Sequence, residues 1–245
     1  MRTLFKLTWV EIKLFIREPI TVVFTLALPI IFLFVIVGVL GNTPEPNFRG
    51  VGPLDYYVPA YFGLVMTAIG VVALPVHLTA YRERGVLRRL RASSISVWSL
   101  LGSQLMVSFI IAIMGSILIM ALGMLVYSLH LPQSPALLIP AFILGTISFA
   151  SLGFFLGAVL PSTRSAQGLG LILFFVMFIL GGAGPPSGVL TGVMRVTSDI
   201  IPLRYVIFML QDPWLGFGWH VNASLIVAGI TVAAALLAAR FFRWE

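Results

Sequence analysis

Apolar runs of about 20 residues, separated by short polar breaks, recur from one end of this sequence to the other. That length as a helix crosses the roughly 30 Å hydrocarbon core of a bilayer. Only 9 % of the 245 residues are charged and 60 % are hydrophobic, against about 25 % charged in soluble domains. Such a chain cannot cover a water-facing surface, so the bilayer is its solvent. Backbone in lipid must hydrogen-bond within its own segment, which leaves helices or closed barrels. The runs are continuous rather than alternating, and this selects helices. The expected fold class is an all-α membrane protein: six transmembrane helices, an N-terminal amphipathic interfacial helix, and a re-entrant external segment before the last span.

The chain reads as a single transmembrane domain over residues 1–245. Residues 1–19 form the amphipathic helix, ending at Pro19. On a 3.6-residue wheel Arg2, Lys6, Lys13 and Arg17 share one narrow arc, flanked by Phe5, Trp9, Ile12 and Ile16, with Glu11 and Glu18 away from it. Such a helix suits an anionic leaflet surface. Spans are expected at about 20–40, 56–80, 100–129, 136–160, 168–182 and 220–239. Between them lie a Gly/Pro/Asn-rich external loop (41–55), a highly charged segment (81–95) and a long mixed segment (183–218). The N-terminus does not read as a cleaved signal peptide, because no small-x-small site follows the first apolar run.

Six spans put both termini on one side, and that side collects twelve of the fifteen lysines and arginines. Arg49, Arg195 and Arg204 fall on the other. The positive-inside rule then makes both termini cytoplasmic, in a multi-pass protein of the cytoplasmic (inner) membrane. The net charge of +7 is thereby a topology signal rather than a sign of nucleic-acid binding.

Little chemistry is available. Cysteine is absent, which removes disulfides, thiolate metal sites and a Cys nucleophile. No catalytic residue, cofactor site or metal site is indicated. Neither lysine, Lys6 nor Lys13, follows a glycine, so there is no P-loop. His77 is the one ionisable residue within a span. About a turn from the cytoplasmic end of span two, it reads as a hydrogen-bonded interfacial residue rather than a proton relay. Ser151 in Ala150-Ser151-Leu152-Gly153 is a weak match to a serine-hydrolase turn. Gly153-x-x-x-Gly157 marks close helix packing, within the subunit or with a second copy.

The segment Tyr81-Arg82-Glu83-Arg84-Gly85-Val86-Leu87-Arg88-Arg89-Leu90-Arg91-Ala92-Ser93-Ser94-Ile95 resembles the first cytoplasmic loop of ABC-2 type transporter permeases, which read Glu-Arg-Glu-x-Gly-Thr-Leu-x-x-Leu, a small residue and Pro. Glu83, Arg84, Gly85, Leu87 and Leu90 match, and Ser94 stands where the family often has Pro. Ser165-Ala166-Gln167, Ile201-Pro202-Leu203-Arg204-Tyr205 and Gln211-Asp212-Pro213-Trp214 are similar to later family stretches, the last familiar from daunorubicin-type drug exporters. The resemblance covers the whole chain in architecture.

The resemblance implies that residues 81–95 form a coupling helix docking on a separate cytoplasmic ABC ATPase subunit, with Glu83, Arg84, Gly85, Leu87, Arg88, Leu90 and Arg91 in the contact. It implies a second copy or a related permease beside this chain, and ATP and Mg on the partner ATPase, with no cofactor on this chain. It also implies short helices in 183–218 that dip into the outer leaflet, and a path between spans two and five of facing subunits. Candidates for that path are Phe62, Met66, Phe174 and Phe178, whose adaptable apolar surfaces suit a hydrophobic drug or lipid-like molecule. The expected function is the permease subunit of an ATP-binding cassette exporter. The alternatives are a stand-alone channel or secondary carrier, and an intramembrane enzyme.

Overall fold

The computed structural model describes residues 2–87, 89 and 97–241, and all regular structure among them is helical. Helix α1 (Arg2–Ile16) stops before Pro19. Next come α2 (residues 19–40), α3 (residues 53–83), α4 (Val97–Tyr127), α5 (Pro135–Val159) and α6 (Thr163–Leu180). Two shorter helices, α7 (Gly192–Ser198) and α8 (Pro202–Leu215), precede α9 (Val221–Phe241). Among the described residues six helices are long and apolar enough to cross a membrane: α2, α3, α4, α5, α6 and α9.

Span two, α3, is the axis of the bundle. Of its apolar window 94 % is buried, against 22–44 % for the other five spans. The exposed apolar side chains of those five, such as Ile117, Leu125, Ile172 and Leu236, form the faces a bilayer solvates.

Both α2 and α3 contain a proline that would break a helix in water. Here one wide turn absorbs each of them. A π-helical turn at Val23–Ala27 precedes Pro29, and another at Ala68–Ala73 precedes Pro75. The Leu28 and Leu74 amides reach back to Val23 O and Ile69 O, so the chain continues across the membrane with most backbone groups paired.

Glycines of the neighbouring spans seat themselves on this part of α3. A Cβ on Gly153 of α5 would lie 2.5 Å from Gly70 O, and one on Gly157 would lie 2.8 Å from a Leu78 methyl. Gly170 of α6 approaches from another side, 2.3 Å from Val71 O by the same measure. The Gly153-x-x-x-Gly157 pattern therefore serves packing inside the chain, with span two as the helix it packs on.

The helix ends around Asp55 are tied together by polar contacts. Asn42 Oδ1 accepts from the Leu54 amide (3.1 Å), and Asp55 accepts from the His130 amide (3.2 Å) and ring Nδ1 (2.8 Å). Arg49 pairs with Asp212 at 2.7 Å and lies over the Phe217 ring. Helix α8 runs antiparallel to the outer part of α3: Leu203 lies against Gly63, and Gln211 Nε2 donates to Tyr56 O at 2.9 Å. With 14 residues α8 is about 21 Å long, too short to cross the core. Pro202 starts it, where a missing amide proton matters least.

Candidate functional site

The charged segment after span two begins at a junction of three helix ends. Span four ends at Val159 and span five begins at Thr163, so a tight turn leaves carbonyls of α5 and amides of α6 side by side. Unpaired carbonyls at a helix C-terminus attract cations, and unpaired amides at an N-terminus attract anions. The last residues of α3 supply one of each. Arg82 donates to Gly157 O (3.4 Å), Ala158 O (3.3 Å) and Leu160 O. Glu83 accepts from the Thr163 amide at 3.0 Å and from the Thr163 hydroxyl at 2.6 Å. Two adjacent side chains of opposite sign thus clamp the joined ends of spans four and five onto the end of span two.

The start of α6 is reinforced locally. Ser162 and Ser165 form a reciprocal capping box, each side chain accepting from the other's backbone amide. Together with Glu83 this starts the helix at Thr163, ahead of the apolar run at Gly168. Ser165-Ala166-Gln167 accordingly lies in the first turns of span five rather than in a loop.

Gly85 closes α3. Its φ of +65° is the left-handed conformation that glycine adopts without a Cβ penalty, and its amide returns to Arg82 O at 3.1 Å. Before it Glu83 and Arg84 are exposed, and beyond it Arg89 is exposed, whereas Leu87 is seated inside the chain at 3 % exposure. Arg88, Leu90 and Arg91 lie outside the described residues.

The four apolar candidates are placed differently from one another. Phe62 (2 % exposed) packs edge-on between Phe142 and Trp214. Met66 is buried in the same core. Phe174 is buried edge-on against Phe24, and Phe178 stacks on Phe32 at 4.4 Å, half-buried. The first three face the interior of a single chain. The outward face of span five carries Ile172, Phe175, Val176 and Ile179.

His77 is hydrogen-bonded, and its partner comes from α1: Nε2 lies 2.5 Å from Glu11 Oε2. The sequence alone gives Glu11 no role and places Arg82 only within the basic segment 81–95. The adjacency of Arg82 to Glu83 was visible. What each reaches lies some 80 residues further along the chain, and no local pattern encodes that. The same holds for Thr163.

Comparison with known proteins bears on this arrangement. Residues 2–213 match the family model described as ABC-2 type transporter. A probable multidrug ABC transporter permease, YbhR, is 23 % identical over 210 residues in Escherichia coli strain K12, and likewise in Escherichia coli O157:H7. Each alignment takes in 82 % of this chain and 55 % of the relative, so the chain spans about half the length of the curated relatives it matches. With the family model running from the first helix through the charged segment to Pro213, the chain belongs to the ABC-2 type transporter family.

Proposed function

We propose that this chain is the membrane permease subunit of an ATP-binding cassette exporter, moving a hydrophobic drug or lipid-like substrate with energy from a separate ATPase subunit. The observation that carries the reading is the Arg82–Glu83 clamp. A push on the segment that follows it reaches the ends of spans two, four and five together. That is what a transmitting element needs, and the exposed Glu83, Arg84 and Arg89 offer a charged contact to a partner. ATP and Mg sit on that partner. The likeness to a multidrug permease supports the substrate class.

The chain works beside a second copy or a related permease, with both termini cytoplasmic. Span two is enclosed within its own chain, so the substrate path follows the outward face of α6, along Phe175 and Ile179, with Phe178 at its edge. Phe62, Met66 and Phe174 form the wall behind. Residues 183–218, packed beside the outer part of span two, are the re-entrant element that closes the external end.

The test is co-purification of the chain with ABC ATPases of the same genome, wild type against Glu83→Ala and the double variant Arg84→Ala/Arg89→Ala. Capture of an ATPase whose activity the wild type stimulates and Glu83→Ala does not is the expected result. No capture, or capture and stimulation indifferent to the segment, overturns it.

A further inference from the structure

The N-terminal helix meets the bundle through charge as well as apolar contact. Glu11 is 2 % exposed, and a carboxylate buried to that degree persists only with its oxygens paired. Both are paired with span two. Oε1 accepts from the Tyr81 hydroxyl at 2.6 Å, and Oε2 accepts from His77 Nε2 at 2.5 Å. His77 and Tyr81 stand one turn apart on α3 with ring centroids 4.4 Å apart, so they form a two-pronged receptor for one carboxylate. The other ring nitrogen, Nδ1, faces Glu18 Oε1 at 3.9 Å, and Glu18 Oε2 accepts from the Thr21 hydroxyl at 3.2 Å. His77 therefore touches both α1 and the break that follows it.

Span three supplies the back wall. Gln104 is 3 % exposed, and its Nε2 has no hydrogen-bond partner among the described residues. It lines a cavity of about 30 Å³ shared with Glu11, Glu18, His77 and Ser108, room enough for a water molecule. The opposite face of α1, carrying Trp9, Val10, Lys13 and Ile16, is exposed.

Well-packed apolar residues often hold two helices as firmly as a buried ion pair does. What directional hydrogen bonds add is a single seating, with one rotation and one height of α1 on span two. The receptor also stands one turn before the Arg82–Glu83 clamp. We propose that Glu11 is a positioning residue that locks the N-terminal helix to the cytoplasmic end of span two, so that the two move as one lever. The lock stands on its own geometry. Its part in carrying motion from an ATPase to the membrane surface rests on the transporter reading above.

The absence of native cysteine allows spin labels at two introduced cysteines alone, Val10→Cys on α1 and Arg164→Cys at the exposed start of α6. Pulsed electron paramagnetic resonance on the full chain in lipid nanodiscs reads the distance between them. The expected result is one narrow distribution for wild type and for Glu11→Asp, and loss of that single peak in Glu11→Gln and Glu11→Ala. The exchanged pair Glu11→His/His77→Glu should recover it. Should Glu11→Ala fail to fold, the near-isosteric Gln variant and the exchanged pair decide the matter. An unchanged narrow peak in Glu11→Gln, or an exchanged pair no narrower than the single variants, overturns the lock.

With a captured ATPase, Glu11→Gln should keep binding and lose the stimulation of ATP hydrolysis. Full stimulation in a variant with a broadened distribution overturns the lever. If no ATPase binds wild type, the transporter reading fails while the distance measurement still decides the lock.

Discussion

Replacing Gly153 with alanine tests whether span two is held by backbone-to-backbone glycine contact. The new Cβ would lie 2.5 Å from Gly70 O and 2.8 Å from Leu74 Cβ. A carbon rests against a carbonyl oxygen at about 3.3 Å, so α5 and α3 must part by about 0.8 Å. They have little slack, because Gly170 of α6 holds the adjacent turn of α3 at Val71 O. Overpacking of this kind costs about 1–3 kcal/mol, and the better helix propensity of alanine returns up to about 1 kcal/mol. The net loss lies between about 0 and 3 kcal/mol and centres on about 1–2 kcal/mol.

Gly229 in α9 is the control, since nothing lies within 4 Å of its Cβ position. There only propensity acts, and alanine is neutral or stabilising by up to about 1 kcal/mol. Thermal unfolding of both variants in one detergent should show a fall of about 2–8 °C for Gly153→Ala, and no fall for Gly229→Ala. A Gly153→Ala protein as stable as the Gly229→Ala protein would refute the packing argument, since it would mean that α5 does not sit on the Gly70 carbonyl.

Other outcomes follow from the polar contacts. Arg82→Ala leaves the carbonyls at the end of α5 without their donor; allowing for partial exposure, the expected loss is about 1–2 kcal/mol of stability in the same melt. Gly85→Ala meets no steric neighbour and should cost about 1 kcal/mol from its positive φ alone, a loss that Gly85→Asn recovers in part. Glu18 lies between α1 and span one, and His77, 3.9 Å away, holds its carboxyl below the usual carboxylate range. A depressed folded-state value means the contribution is present above the unfolded value and is lost as pH falls through the folded one. Melting temperature measured from pH 6 down to pH 3 should therefore fall more steeply for wild type than for Glu18→Gln.

The six spans are legible because lipid imposes them residue by residue. A helix must be long enough. Which span lies at the centre was not legible. In water a buried face and an exposed face differ in polarity, whereas in a bilayer both neighbours are apolar. Span two thus reads like span three in composition, although one is enclosed and the other half open to lipid. Phe62 and Met66, path candidates by resemblance, are enclosed within the chain, which composition alone does not reveal. Pro29 and Pro75 could be seen in the sequence, but not that one wide turn before each would carry the helix through. Glu11 and Glu18 lie seven residues apart, away from the basic arc of α1, so the wheel had already set them on a common face. Its partner, His77, lies 66 positions from Glu11.

The clamp shows why a short turn and a charged helix end belong together. An arginine and a glutamate side by side on α3 can both be satisfied only where a carbonyl-rich end and an amide-rich end lie within one side chain's reach. Antiparallel helices joined by a tight turn provide that, and α5 and α6 meet through Leu160, Pro161 and Ser162 alone. A longer connection would separate the two ends and leave Arg82 or Glu83 without its helix terminus. The turn between spans four and five and the end of span two are therefore a single unit, although some 80 residues separate them. Glu11 attaches α1 to the same end one turn away, and Gly85 turns the chain immediately after it. The ends of α1, α3, α5 and α6 thus meet in one junction.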